Sequence, residues 1–268
     1  MNRITIAHLS DIHHNPGDTS QLSTLLKEKQ LFVEKHLEIC LRVLAERQPD
    51  LVAVTGDLTH EGSADAYRYL REQFDRFLPR TPVLCSMGNH DIRRAFREGF
   101  LGEAADGPEA DAPYFASVSV RGFRFISLDS AWKNGLEGVL DDDALDYLES
   151  QLVKPAACGA FLLLHHPVMD AAKSMGLTMS ERLAEILQSG KIRGIFNGHV
   201  HGSYTGTVYG VPQFTADSLK TGCDLRSDTL AYNDRAGYEI VTFDAKGDWL
   251  TERILIRPET ETFFTKEF

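Results

Sequence analysis

What this chain has little of narrows its identity first. Its four cysteines (Cys40, Cys85, Cys158, Cys223) are scattered without close pairing, so the expectation is buried free thiols in a reducing cytoplasm. Positive charge is in short supply: 28 lysines and arginines stand against 39 acids, a net charge of −11. That balance argues against binding a nucleic-acid backbone over a broad surface, and no aromatic-basic groove compensates for it. It would also repel a small phosphate ester, unless bound metal ions reverse the local field. No apolar run approaches the ~20 residues that cross a bilayer. The opening residues already alternate like a strand, so no secretory leader is expected before them. No serine nucleophile elbow occurs, nor any repeat or low-complexity tract.

What remains is a globular composition, 43% hydrophobic and 25% charged over 268 residues. Short apolar runs alternate with helical spacing. Ile4–Ser10, Leu51–Thr55, Pro82–Met87, Ala160–Leu164 and Ile192–Asn197 read as buried strands. Helical spacing fills Glu28–Arg47, Ser63–Leu78, Asp141–Val153 and Ser180–Leu187, while 14–24 and 99–112 read as loops. Tyr114–Val120 and Phe123–Leu128 form a hairpin closed at Arg121-Gly122. Ser203–Tyr209, Gln213–Ala216, Gly237–Phe243 and Trp249–Ile256 read as late strands. The domain is expected over 1–256, with 257–268 as a tail. The late strands and tail could build a homo-oligomer face or complete the second sheet.

Each early strand ends in residues that ligate metals. Asp11 and His13 follow the first, and residues two apart share a face of an extended strand end. Asp57 follows the second, and Gly88-Asn89-His90-Asp91 the third, where glycine permits a sharp turn and Asp91 could cap the next helix. His165-His166-Pro167 and Gly198-His199-Val200-His201 close the set. Any one of these reads equally well as a polar turn. Five together, at strand ends where α/β sheets gather their ligands, point to one site. His36 reads as structural or solvated, and His60 as either a loop histidine or a site residue. Of Arg93, Arg94 and Arg97, at least two read as a solvated helix face. Asp, His and Asn without cysteine disfavour a structural zinc site and suit Mn, Fe, Zn or Co. The donors suffice for two ions if one carboxylate bridges. Two ions ~3.5–4 Å apart clamp both oxygens of an in-line phosphoryl displacement.

With these motifs in this order, the sequence resembles the calcineurin-like metallophosphoesterase superfamily over about residues 4–201. The resemblance implies a four-layer αββα sandwich of two mixed β-sheets flanked by helices, and a pair of divalent or mixed-valence metal ions. It assigns Asp11, His13, Asp57 and His201 to the first metal, and Asp57, Asn89, His165 and His199 to the second, with Asp57 bridging. His165 is preferred to His166 because the family ligand lies two residues before the proline. His90 is implied to stabilise phosphoryl charge or to protonate the leaving oxygen. Asn89, His90 and Arg93 are the candidate substrate contacts, since an arginine there could hold a phosphate.

A narrower resemblance is to class III cyclic nucleotide phosphodiesterases and glycerophosphodiesterases. It rests on Gly56-Asp57-Leu58-Thr59 with Gly62 and Tyr67, on Asn89-His90-Asp91 with Arg93 and Phe96-Arg97, and on His165-His166-Pro167 with Gly176-Leu177. The chain departs from that subgroup at 14–24, at 168–179 and after 202, the stretches expected to flank the pocket. The expected function is hydrolysis of a small diester such as a 3′,5′-cyclic nucleotide. Glycerophosphodiesters are one alternative. A phosphomonoester, whose extra charge Arg93 or Arg97 could meet, is another. A non-catalytic metal-bound scaffold ranks last, because no ligand position is missing.

Overall fold

In the computed structural model, residues 3–131, 135–169, 175–226 and 229–267 are described. β1 (Arg3–Leu9) and β2 (Leu51–Thr55) are apolar on both faces because each is covered twice. Between them, α1 (Gln21–Glu28) and α2 (Val33–Arg47) form where one loop and one helix are expected. Ser20 caps α1, and Gln30, at φ 58°, breaks the helical run that sequence spacing alone carries through. α3 (Ala64–Phe77), β3 (Val83–Ser86) and α4 (Arg93–Phe96) follow. One wide turn (Arg97–Leu101) and a 3-10 turn (Pro108–Asp111) occupy the expected loop 99–112.

β4 (Ala116–Val120) and β5 (Phe123–Ser127) make the hairpin, followed by α5 (Asp142–Leu152) and β6 (Ala160–Leu163). After α6 (Glu181–Gln188) come β7 (Ile192–Asn197), β8 (Tyr204–Val208) and β9 (Val211–Thr215). The chain ends with β10 (Gly222–Arg226), β11 (Thr229–Asn233), β12 (Ala236–Asp244), β13 (Trp249–Arg257) and β14 (Thr262–Glu267).

Two mixed sheets result, ordered β13-β12-β1-β2-β3 and β4-β5-β6-β7-β9-β8. Ile4, Ile6, Leu51 and Leu84 meet Phe125, Phe161, Phe196 and Phe214 between them. Leu37, Leu41 and Leu44 of α2, with Leu70 and Phe74 of α3, cover the outer face of the first sheet. Leu145, Leu148, Leu183 and Leu187 of α5 and α6 cover the second. Each such side chain contributes roughly 1.5–3 kcal/mol on burial, so the layers are held by apolar area. This is the expected four-layer αββα sandwich. All four cysteines are buried thiols outside any disulfide. Of the methionine-bearing loop 168–179, residues 170–174 lie outside the described residues.

Of the late strands, β8 and β9 complete the second sheet as expected. β12 and β13 instead extend the first, because β12 pairs antiparallel with β1. β10, β11 and β14 form a separate three-stranded sheet. Asp234 turns the tail back, accepting from the backbone N–H groups of Thr260 and Glu261 and from Arg257.

The β1–β12 register also sets His8 opposite Glu239, both fully buried. Their Nδ1 and Oε2 atoms lie 4.0 Å apart, each without a hydrogen bond. Burial pushes the Glu239 carboxyl up to about 7 and the His8 imidazole down to about 3, so this is a neutral pair. A carboxyl raised above its unfolded value of 4.5 stabilises the fold fully below that value and loses the contribution as pH rises through about 7. Glu239→Gln, which cannot ionise, should therefore gain about 2 kcal/mol on wild type between pH ~5 and ~8. Urea unfolding at the two pH values reads this. A constant difference would show that Glu239 ionises freely in the fold.

Candidate dinuclear metal centre

The carboxyl ends of β1, β2, β3, β6 and β7 converge at one edge of the sandwich. Beyond β1 the backbone keeps bonding to the loop after β2: Asp11 N to Gly56 O at 3.1 Å, His13 N to Asp57 O at 2.8 Å and His14 N to Leu58 O at 3.0 Å. The segment is not extended there. Asp11 (φ 52°), His13 (φ 47°), Asp57 (φ 49°), His199 (φ 70°) and His201 (φ 50°) all occupy the left-handed region. Asp11–His13 and His199–His201 thus share a side through alternate left-handed kinks, not through strand pleat. A non-glycine residue held there costs about 1–2 kcal/mol. Five such residues in one site mark a backbone bent to aim side chains.

Glycines make the close approaches possible. A Cβ on Gly88 would lie 2.0 Å from Asp57 Oδ1 and 2.3 Å from Asp57 N. Gly88 is therefore needed for contact with Asp57, and its φ is not among the positive ones. Gly56 combines both demands, with φ +91° and a virtual Cβ 2.4 Å from His165 Nδ1.

The side chains form two groups that share Asp57. In the first, His201 Nε2 lies 3.3 Å and His13 Nε2 3.8 Å from Asp11 Oδ1, and the two nitrogens are 3.0 Å apart. His13 Nε2 is also 3.4 Å from Asp57 Oδ2. In the second, His165 Nε2 lies 3.4 Å from the same Asp57 Oδ2, 3.2 Å from Asn89 Oδ1 and 3.1 Å from His199 Nδ1. Backbone carbonyls fix the rings. Thr55 O takes His165 Nδ1 (2.7 Å), Thr221 O takes His201 Nδ1 (3.0 Å) and Leu136 O takes His199 Nε2 (3.0 Å). Each ring thereby turns its other nitrogen to the centre, the usual setting of a ligating histidine.

The residues fit a metal pair. Asp11 Oδ1 is fully buried and accepts no hydrogen bond, yet two imidazole nitrogens face it. Converging acceptors without a donor need a cation. Burial and the His165 charge hold His199 down at about 3. Burial alone would lower His165, but the Asp57 charge and hydrogen bond outweigh it and hold that ring at about 9. A cation binding there displaces a proton from His165.

Other residues fall in places that sequence spacing does not predict. His90 donates its backbone N–H to Asp57 Oδ1 (2.9 Å) and stacks on His60 at 4.3 Å. His60 Nδ1 lies 3.3 Å from His13 Nδ1, which brings the ambiguous His60 into the site. Asp91 caps no helix: it accepts from the N–H groups of Leu58, Thr59 and Gly88 and from Tyr67 Oη, tying the two loops together. Burial and the Asp57 charge push it up to about 6.

Arg93 is placed within the protein and not toward a substrate. It is 7% exposed, grips Asp129 with two bonds of 3.0 and 2.8 Å, and donates to Asp91 O. Arg94 pairs with Asp111, and Arg97 with carbonyls 112 and 113. His166 packs its ring 4.4 Å from that of His199, but its own nitrogens are taken by Ser130 Oγ (3.0 Å) and Gly135 O (3.3 Å), and His36 is buried against Leu219 O. The ring-orienting carbonyls carry no sequence signal at all.

Set against known proteins, residues 4–203 match the family described as calcineurin-like phosphoesterase. The chain belongs to that family. A calcineurin-like phosphoesterase is a hydrolase of the dinuclear-metal type, and two overlapping clusters here, Asp11-His13-His201 and Asp11-Asp57-His165, are candidate metal-ligand groups. The chain is similar to a "Probable cyclic nucleotide phosphodiesterase" of Rhodococcus erythropolis, 34% identical over 242 residues, 87% of this chain and 76% of that one. It is also similar to a "cAMP/cGMP dual specificity phosphodiesterase" of Mycobacterium tuberculosis, 30% identical over 221 residues, 80% of this chain and 66% of that one. A yellow lupin purple acid phosphatase shares the fold, with a TM-score of 0.62 at 14% identity over 98% of this chain and 53% of that one. Among the described residues, no helix is long and apolar enough to cross a membrane.

Proposed function

We propose that this calcineurin-like phosphoesterase hydrolyses a small phosphodiester, foremost a 3′,5′-cyclic nucleotide. The observation that carries the reading is the shared Asp57 Oδ2, 3.4 Å from both His13 Nε2 and His165 Nε2. Asp11, His13, Asp57 and His201 would hold one ion, and Asp57, Asn89, His165 and His199 the other. Oxygen and imidazole donors suit Mn, Fe, Zn or Co. When bound, the pair supplies Lewis-acid polarisation of the phosphoryl oxygens and an activated water.

The remaining work falls to the chain itself. Asn89 and His90, side by side after β3, face the phosphoryl group. The backbone bond from His90 to Asp57 fixes the position of its ring, which stabilises charge on the phosphoryl group or protonates the leaving alkoxide. The relatives' names support a diester substrate, and so do the arginines. A phosphomonoester carries more charge and calls for further cations, but Arg93, Arg94 and Arg97 are engaged with Asp129, Asp111 and backbone carbonyls. The buried thiols, none in a disulfide, favour a reducing compartment, the cytoplasm.

The test is hydrolysis by Mn-loaded protein of 3′,5′-cyclic AMP, 2′,3′-cyclic AMP, glycerophosphodiesters, an aryl diester and an aryl monoester. The expected result is preference for a 3′,5′-cyclic nucleotide. Preference for a glycerophosphodiester would move the assignment to that subgroup, and activity confined to the monoester would discard phosphodiesterase action altogether.

A further inference from the structure

Beside the metal centre lies a shallow, half-open pocket that shares His13 with it. Segment 15–34 forms most of its wall. Leu26 of α1 and Leu31, Phe32 and Val33 at the start of α2 supply an apolar side, and Asn15 and Pro16 form a lip. That lip is fastened to the loop carrying Asp57, because Asn15 Nδ2 donates to His60 O and His14 N to Leu58 O. The His14 ring is used elsewhere, stacked on Tyr69 at 4.6 Å and bonded to Glu34.

Lys220 completes the lining. Its side chain is only 11% exposed, and its Nζ stands 3.7 Å from Asp18 Oδ2, longer than a hydrogen bond. Asp18 Oδ2 is itself buried and accepts no hydrogen bond. Asp18 is fixed from its other side, where Oδ1 takes Ser20 N at 2.8 Å and the carbonyl takes Lys27 Nζ at 2.9 Å. A largely buried ammonium, with Asp18 and Glu34 as its counter-charges, thus shares a pocket with an apolar wall and a metal ligand. Burying an ammonium is costly, and the two ligand groups are complete without it.

We propose that this pocket receives the nucleoside portion of the diester, with the Lys220 ammonium donating to an acceptor atom on it. This rests on the phosphodiesterase reading and adds where, and by what, the alcohol half is read. The lining is mixed, with Ser23, Lys27 and Glu34 beside the apolar side chains. A flat, uncharged heterocycle with acceptor atoms satisfies the apolar wall by its face and Lys220 by its edge.

The experiment compares metal-loaded wild type, Lys220→Met and Lys220→Arg on 3′,5′-cyclic AMP and on a methyl aryl phosphate diester that lacks a nucleoside. Metal content is measured alongside, together with calorimetric binding of 5′-AMP, the nucleotide product. Lys220→Met should raise KM for cyclic AMP about tenfold, as expected for one charged hydrogen bond, and weaken AMP binding by a similar factor. The methyl aryl ester should change less than about twofold, metal content not at all, and Lys220→Arg should recover part of the loss. Should Lys220→Met not fold, Pro16→Trp at the exposed lip decides the matter by the same selective rise. An unchanged KM for cyclic AMP overturns the subsite and leaves the phosphodiesterase reading standing. Equal losses on both esters overturn it too, placing the effect of Lys220 on His13. A wild type that cleaves the aryl diester and no cyclic nucleotide overturns both readings together.

Discussion

Asp57→Asn is expected to stay folded, to lose at least one of two metal equivalents, and to hydrolyse an aryl diester more than about a thousandfold slower than wild type. The size of the effect follows from the position of the carboxylate. Its Oδ2 lies 3.4 Å from a histidine of each group, and its Oδ1 accepts the backbone N–H of His90. Burial alone would raise its pKa, but the charges of His165 and His13 hold it well below the ordinary carboxylate range. Asparagine preserves the shape, removes the charge and leaves one oxygen where two are used. His165 would then lose the partner that keeps its ring charged in the metal-free protein. Elemental analysis, circular dichroism and single-substrate kinetics on one preparation check the three parts. Two metals with wild-type turnover would remove Asp57 from the bridging role.

Gly88→Ala should be nearly as damaging without deleting any functional group. The added methyl meets both the Asp57 carboxylate and its backbone nitrogen, and the backbone cannot swing aside as a side-chain tip can. Forcing it in should cost about 2–3 kcal/mol of stability, the upper range for overpacking a tight contact, and should displace Asp57. Gly17→Ala is the control. Its virtual Cβ has only Asn15 Oδ1 nearby, at 3.5 Å, so a change within ~0.5 kcal/mol is expected. Urea unfolding in chelator separates the packing cost from lost metal binding, and metal titration reads the second effect. If Gly88→Ala matched Gly17→Ala in both, the close approach would be unimportant.

Sequence patterning made the sandwich legible because its strands are short, apolar and separated by amphipathic helices. It made the site legible because Asp, Asn and His fall at five strand ends. Backbone detail was less visible. Asp11 and His13 share a side through left-handed kinks, a geometry that spacing alone cannot separate from an extended strand. Asp91 sits where a helix cap belongs, but three N–H groups and a tyrosine hydroxyl compete successfully for its carboxylate. Arg93 resembled a phosphate contact because its partner Asp129 is 36 residues away. The third sheet escaped notice because it is assembled from β10, β11 and β14, of which β14 is distant in sequence and returns to pair with β11 by way of the Asp234 turn. Lys220 carries no motif, and its importance appears only once His13 and α2 are seen on the same pocket.

The position of β1 also bears on how the chain reaches this state. It lies between β2, which follows within about fifty residues, and β12, whose residues Glu239 to Asp244 pair with β1 from His8 back to Arg3. One edge of this apolar strand can close early in synthesis. The other stays bare until most of the chain has been made, and pairings of such long sequence separation are slow to form. During that interval Ile4 and Ile6 are open to wrong partners, and exposed strand edges of this kind favour aggregation. Slower synthesis or lower temperature should therefore raise the soluble yield of this protein more than extra metal in the medium, since the strand bearing Asp11 and His13 must find β12 before its two ligands have a fixed place to stand.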